Sequence, residues 1–142
     1  QRAMTPFGEA LRRLRAERGV TQRQMAKAIG VSPAYLSALE HGKRSEPSWE
    51  FIQRVIGYFN IIWDEAEELQ LLAGLSRPKV IINTSGLTPK ATEVANKLAA
   101  VIDRLDVQTL KRIEALIETD EAFSGNETIA DGRHGAKHKP PQ

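Results

Sequence analysis

Apolar residues recur along the first half of the chain in short helical periods, and most periods are opened or closed by a residue suited to a helix end. Phe7, Ala10, Leu11 and Leu14 fall at i, i+3, i+4 and i+7, one face of a helix. Thr5 caps it, Pro6 suits its first turn and Gly19 ends it, which predicts Pro6 to Arg18. A second helix starts at Thr21 with Gln24 completing a capping box, turns Met25, Ala26 and Ile29 inward and stops at Gly30. A third begins at Ser32 and Pro33, faces Leu36 and Leu39 to the core and ends at Gly42. A fourth follows Pro47 and Ser48 and buries Ile52, Val55, Ile56 and Phe59. A fifth opens with Asp64 and Glu67 as another capping box and carries Ala66, Leu69 and Leu72. Five short helices with short connections make a compact bundle.

The pattern changes after Arg77-Pro78. Lys79 to Asn83 is β-branched and apolar, a candidate strand with no second strand in the sequence to pair with. Thr88-Pro89 then opens an amphipathic stretch in which Val94, Leu98, Val101 and Leu105 alternate four- and three-residue steps, a heptad seam. Asp106 caps a further helix with Leu110, Ile113, Leu116 and Ile117 on its apolar face. From about Thr119 the chain turns polar and Gly-rich and reads as a flexible tail. The expected organisation is a helical domain over 4–76, a linker with a short β segment over 77–88, a helical region over 89–119 and a tail over 120–142.

Composition narrows the class. With 142 residues, 41% hydrophobic and 27% charged, the chain is an ordinary globular protein of one domain, or of a small domain with an appendage. No cysteine is present, which excludes disulfides and thiolate metal sites and fits a reducing cytoplasm. Apolar runs such as Val80 to Ile82 are too short to cross a bilayer, so no membrane partner is expected. The opening Gln1-Arg2-Ala3-Met4 lacks the apolar core of a signal peptide, and Met4 reads as an initiator. The net charge of +2 is unevenly placed: +5 over 1–63, −4 over 64–76 and +1 over 77–142. The positive excess lies where a polyanion would dock on the helix pair.

That pair carries the most specific pattern. Thr21-Gln22, Ala26, Gly30-Val31-Ser32, Tyr35-Leu36-Ser37 and Leu39-Glu40-His41-Gly42-Lys43, with Leu14-Arg15 ahead of them, resemble the Cro/repressor-type (XRE) helix-turn-helix regulators over residues 5–75. The resemblance implies an all-α fold: a five-helix, lambda-repressor-like DNA-binding domain whose third helix enters the major groove. A short extended segment and a C-terminal helical hairpin for dimerisation follow. It also implies double-stranded DNA as partner and dimers on palindromic operators.

On this reading Ala34, Ser37, Ala38 and His41 form the outer face of the third helix, with Ser32 and Pro33 completing the base-contacting edge. Serine hydroxyls can bond base edges and alanine methyls can touch thymine methyls. The face holds no Arg, Asn or Gln, so DNA shape is expected to contribute to selectivity. Gln22 and Arg23, in the first turn of the second helix, and Tyr35, Lys43, Arg44 and Ser48 on the other rim are the candidate phosphate contacts. Arg15 and Glu40 occupy the positions this family uses for a partly buried ion pair, a structural role. Trp49 and Trp63 read as core or interface aromatics.

One recognition helix contacts few base pairs, so two are normally set about 34 Å apart by a dimer. The eight large apolar side chains of the C-terminal seams are each worth roughly 1.5–3 kcal/mol if fully buried. A single hairpin cannot bury them against itself. Val94, Leu98, Val101, Leu105, Leu110, Ile113 and Ile117 are therefore the expected homodimer interface, the alternative being that the hairpin folds back on the first domain. The expected function is a sequence-specific transcriptional regulator, a repressor acting as a homodimer on an inverted repeat. The alternative is an antitoxin that binds a protein partner and regulates its own synthesis. No peptidase-sized domain or Ser/Lys or Cys/His arrangement supports an enzyme. No cofactor is expected, and His134 and His138, among glycines and prolines, read as solvated tail and not as a metal site.

Overall fold

A computed structural model describes residues 3–119 of the chain. The expected tail over 120–142, with His134 and His138, lies outside the described residues. The described residues are all-helical, as expected, and form two compact units that divide between Val80 and Ile81. No helix among them is long and apolar enough to cross a membrane.

The first unit contains α1 (Pro6–Arg18), α2 (Gln22–Ile29), α3 (Pro33–Glu40), α4 (Trp49–Phe59) and α5 (Trp63–Gly74). Local chemistry sets most of these ends. Thr5 accepts the Gly8 amide, the Thr21–Gln24 capping box closes in both directions, and Ser32 and Ser48 accept the Tyr35 and Phe51 amides. Gly19 and Gly30 end α1 and α2 in the left-handed region, where a Cβ would be strained.

Helix α1 packs on α3 and α5, α2 on α3 and α4, and α4 on α5. Phe7, Leu11, Met25, Ala26, Leu36, Leu39, Phe51, Val55, Phe59 and Leu69 close the core between them. Long side chains then cap neighbouring helices. Arg18 donates to the Phe59 carbonyl at 2.7 Å, and Arg54 donates to the Ile29 carbonyl at 3.1 Å. Ser76, buried after α5, accepts the Phe7 amide at 2.9 Å and donates to the Leu72 carbonyl at 2.6 Å. These bonds satisfy helix ends that would otherwise be left unpaired.

One expectation in this unit is corrected, and one of two alternatives for the tryptophans is removed. The capping box of Asp64 and Glu67 does not form: α5 begins two residues earlier, Ile62 stands at the cap position, and no side chain caps the helix. The chain enters α5 through Trp63 at φ 53°, a left-handed backbone unusual for a bulky residue. Asp64 and Glu65 sit in the first turn, where the helix dipole favours negative charge. Trp63 is 81% exposed and Trp49 66%, so neither belongs to the core. Both occupy first positions of helices, α5 and α4, from which their rings project outward.

The second unit contains α6 (Pro89–Val101), a 3-10 turn (Ile102–Arg104) and α7 (Val107–Thr119). Thr88 caps α6 through the Ala91 amide. Asp106 accepts the Thr109 amide at 2.8 Å at the start of α7. The Thr109 amide, and next its hydroxyl, hold the Asp106 carboxyl below the ordinary carboxylate range. That contribution is present above the unfolded-chain pKa and is lost as pH falls through the folded one. Lys90 and then Lys97 lower Glu93 in the same way.

No side chain of α6, the 3-10 turn or α7 is buried. The segment expected as β at 79–83 forms no strand within the single chain. A strand needs a hydrogen-bonding neighbour, and no second strand is present among the described residues.

Helices α1 and α3 approach closely because Gly8 has no side chain. A Cβ at Gly8 would lie 2.3 Å from the Glu40 carbonyl oxygen and 2.8 Å from its Cα, both backbone atoms. Gly8→Ala must therefore push the helices apart, and overpacking of this kind costs about 1–3 kcal/mol. The expected outcome is a melting temperature lower by about 5 °C or more. Thermal unfolding followed by circular dichroism checks it, and an unchanged midpoint would show that the contact is not constrained.

Candidate nucleic-acid interface

The candidate site is built on one residue at the end of α3. Glu40 is 1% exposed, and Arg15 from α1 is 8% exposed. The two form a salt bridge in which Arg15 donates from both terminal nitrogens, the second at 3.2 Å. Gln22, in the first turn of α2, donates from Nε2 to Glu40 Oε1 at 3.0 Å, and Arg15 also reaches the Met25 sulfur at 3.7 Å. The Glu40 main-chain carbonyl accepts the Thr5 amide at 3.1 Å. One carboxylate and one carbonyl thus fix α1, α2 and α3 relative to one another. A buried ion pair of this kind sets orientation more than it adds stability.

From that anchor α3 presents an edge of small and hydroxyl residues. Ser32, Pro33 and Ala34 are exposed, while Ser37 and Ala38 are half-buried further along. The Ser32 oxygen accepts the Tyr35 amide at 3.0 Å, which leaves its own hydroxyl hydrogen free to donate. His41 is placed differently from expectation. Its Nδ1 lies 2.9 Å from the Ser37 carbonyl, which can only accept, so Nδ1 carries the proton. Its Nε2 is buried and has no partner. His41 lines a cleft with Thr5, Leu75 and Pro78. With Nδ1 bonded and Nε2 buried, its ring presents no free nitrogen.

The rim residues divide by what already holds them. Arg23 at the start of α2, and Lys43, Arg44 and Ser48 beyond α3, are exposed. Gln22 is half-buried and one hydrogen of its amide nitrogen is committed to Glu40, so the second hydrogen, the carbonyl oxygen and the main chain remain available. The Ser48 oxygen accepts the Phe51 amide at 3.2 Å as the cap of α4, again with its hydrogen free. Tyr35 stands edge-on to Phe51 with ring centroids 6.2 Å apart, and the Arg44 guanidinium lies 4.7 Å from the Tyr35 ring centre. A cation over an aromatic face is attracted by the ring quadrupole, so this arginine is oriented before any ligand arrives.

The sequence missed the positioning roles of Gly8, Met25 and Ser76. A glycine inside the apolar period of α1 was the one available signal for close helix approach.

A short helix braced by a buried ion pair against a second helix, with a tight turn between them and cations on both rims, is the geometry of a helix-turn-helix domain. Residues 6–69 match the family model described as a helix-turn-helix domain. The chain is 37% identical over 71 residues to a Bacillus subtilis protein described as the uncharacterized HTH-type transcriptional regulator RghRB, covering 50% of this chain and 49% of that one. It is 46% identical over 52 residues to the B. subtilis HTH-type transcriptional repressor RghR, covering 37% and 38%. It is 27% identical over 68 residues to the B. subtilis HTH-type transcriptional regulator SinR, covering 45% and 61%. The chain thus spans less than two thirds of each of these relatives. No solved structure matches the chain significantly.

Removing the Glu40 carboxylate leaves Arg15 buried without a counter-charge, and breaking one partner of such a pair costs about 3–5 kcal/mol. Glu40→Ala is expected to lower the denaturant midpoint sharply. Glu40→Gln, which keeps the acceptor for Gln22 and Arg15, should lose less. Equal losses in urea unfolding would show that charge, and not hydrogen bonding, holds the three helices.

Proposed function

We propose that the protein is a sequence-specific double-stranded DNA-binding transcriptional regulator, a repressor that acts in the cytoplasm as a homodimer on an inverted-repeat operator. The observation that carries the reading is the exposed Ser32–Pro33–Ala34 edge of α3, braced from behind by Arg15, Glu40 and Gln22 and flanked by the stacked Arg44.

In this proposal α3 lies in the major groove. Ser32 and Ser37 exchange hydrogen bonds with base edges, while Pro33, Ala34 and Ala38 touch thymine methyls. Arg23, Lys43, Arg44 and the Ser48 hydroxyl bind phosphates. The free amides at the start of α2, near Gln22, supply main-chain donors and a favourable dipole. His41 takes no part. Residues 89–119 join two copies through Val94, Leu98, Val101, Leu105, Leu110, Ile113 and Ile117, all exposed or half-buried in a single chain. The names of the matched relatives, one of them a repressor, support the regulatory reading.

Arg44→Ala should weaken binding to all duplexes and flatten the slope of log affinity against log salt by about 0.9, the loss of one phosphate contact. A slope equal to that of the parent removes Arg44 from the interface.

Selection from a random duplex library with purified protein tests the whole reading. The expected pool contains an inverted repeat with half-site centres about 10 base pairs apart, or a multiple of that spacing. An enriched single half-site would sink the homodimer, and a pool without enrichment would sink sequence-specific binding.

A further inference from the structure

The segment that joins the two units is the most apolar exposed stretch of the described chain. Val80, Ile81 and Ile82 are 71%, 93% and 60% exposed. None of the main-chain amides or carbonyls of 79–83 is hydrogen-bonded to another described residue. Three consecutive β-branched residues favour extended backbone, and an unpaired row of amides and carbonyls is a template for another strand. The stretch is bounded at both ends: Pro78 has no amide hydrogen to extend a ladder, and the Asn83 side chain accepts the Ser85 amide at 3.0 Å to turn the chain. Just beyond the turn, the Thr92 hydroxyl on α6 donates to the Thr84 hydroxyl at 2.9 Å, so the segment is tied to the first of the C-terminal helices.

We infer that Lys79–Asn83 pairs with the same segment of a second copy of this chain, as a two-stranded antiparallel ribbon on a twofold axis through Ile81. This rests on the homodimer reading above. Charge and side-chain pattern select the occupant and the direction. With the axis at Ile81, Val80 faces Ile82 of the other copy, Ile81 faces itself, and each Lys79 faces an uncharged Asn83. A parallel in-register pair would instead set Lys79 directly against Lys79, which is unfavourable. A shift of register by one residue would set Ile82 against Lys79, or Val80 against Asn83, in place of an apolar partner. The ribbon is about 17 Å long, and an isolated two-stranded ribbon is marginal in water. It therefore forms only where the α6 and α7 seams of the two copies have already met, and it supplies the main-chain bonds that one chain lacks.

The chain contains no cysteine, so single introduced thiols report on pairing without interference. Directly opposed residues of an antiparallel pair have Cα atoms about 4.5–5.5 Å apart, within disulfide range. On this axis the two copies of position 79 lie about 13 Å apart along the ribbon. The full chain carrying Ile81→Cys, exposed and so harmless to folding, is oxidised under mild conditions beside Lys79→Cys. Sedimentation of both variants gives the oligomeric state independently. The expected result is a dimer in which Ile81→Cys cross-links many-fold faster than Lys79→Cys. A dimer in which Ile81→Cys cross-links no faster than Lys79→Cys would overturn the ribbon and leave the homodimer intact. A monomer by sedimentation would overturn both.

Discussion

The structure depends on the closeness of α1 and α3 at Gly8 and Glu40. Because Gly8 lacks a Cβ, the Glu40 main chain lies against α1, and the Thr5 amide bonds its carbonyl. That closeness brings the Glu40 side chain inside, where it is 1% exposed and needs compensation. Arg15 from α1 supplies the charge and Gln22 from α2 an added donor. The angle at which α3 meets α2 thus follows from satisfying one buried carboxylate. Core packing alone would leave that angle looser, since apolar contacts are not directional. The outer edge of α3 inherits its orientation from this hidden chemistry, so residues that would never touch a ligand decide which side chains can.

Legibility in the sequence followed the range of the interaction. Helices α1 to α4 were readable because each is opened by a hydroxyl cap within three residues of its target amide, and α1 and α2 are closed by left-handed glycines. Helix α5 was misread at its start because Asp64 and Glu67 have capping-box spacing, yet a left-handed Trp63 lets the helix begin before them. No local rule foresees that backbone at a tryptophan. The same limit applies to His41. Its i, i+3, i+4 spacing puts it beside Ser37 and Ala38, but Nδ1 bonds the Ser37 carbonyl one turn back and Nε2 is buried. Arg15 and Glu40 were legible only through resemblance, since charged residues 25 apart carry no spacing signal of their own. The stacking of Arg44 on Tyr35 was not legible at all, because it depends on Phe51 of α4 setting the ring.

The two units differ in how their apolar periods are used. The first turns its periods inward and closes a core around Phe7, Leu36 and Phe59. The second has equally regular periods in α6 and α7, yet not one of their side chains is buried, and Leu116 is more exposed than Val94 or Ile117. Isolated helices of 13 residues are marginal in water, and most helical stability in proteins comes from packing an apolar face. Caps at Thr88 and Asp106 and the flanking of Glu93 by Lys90 and Lys97 favour the helices locally, but surface ion pairs are worth little.

The consequence is a coupling between folding, association and recognition. Under the homodimer reading, the second unit gains most of its stability by burying seams against another copy, so its order depends on protein concentration. An operator with two half-sites holds two copies together and raises the effective concentration of one C-terminal unit beside the other. Binding DNA would then stabilise the α6 and α7 seams, and by linkage anything that covers those seams in place of a second copy would weaken operator binding by the same factor. On the homodimer reading, the selectivity lost by a reading edge without Arg, Asn or Gln would be recovered in this way. Each half-site would contribute little, and the requirement for two, correctly spaced, would supply the remainder.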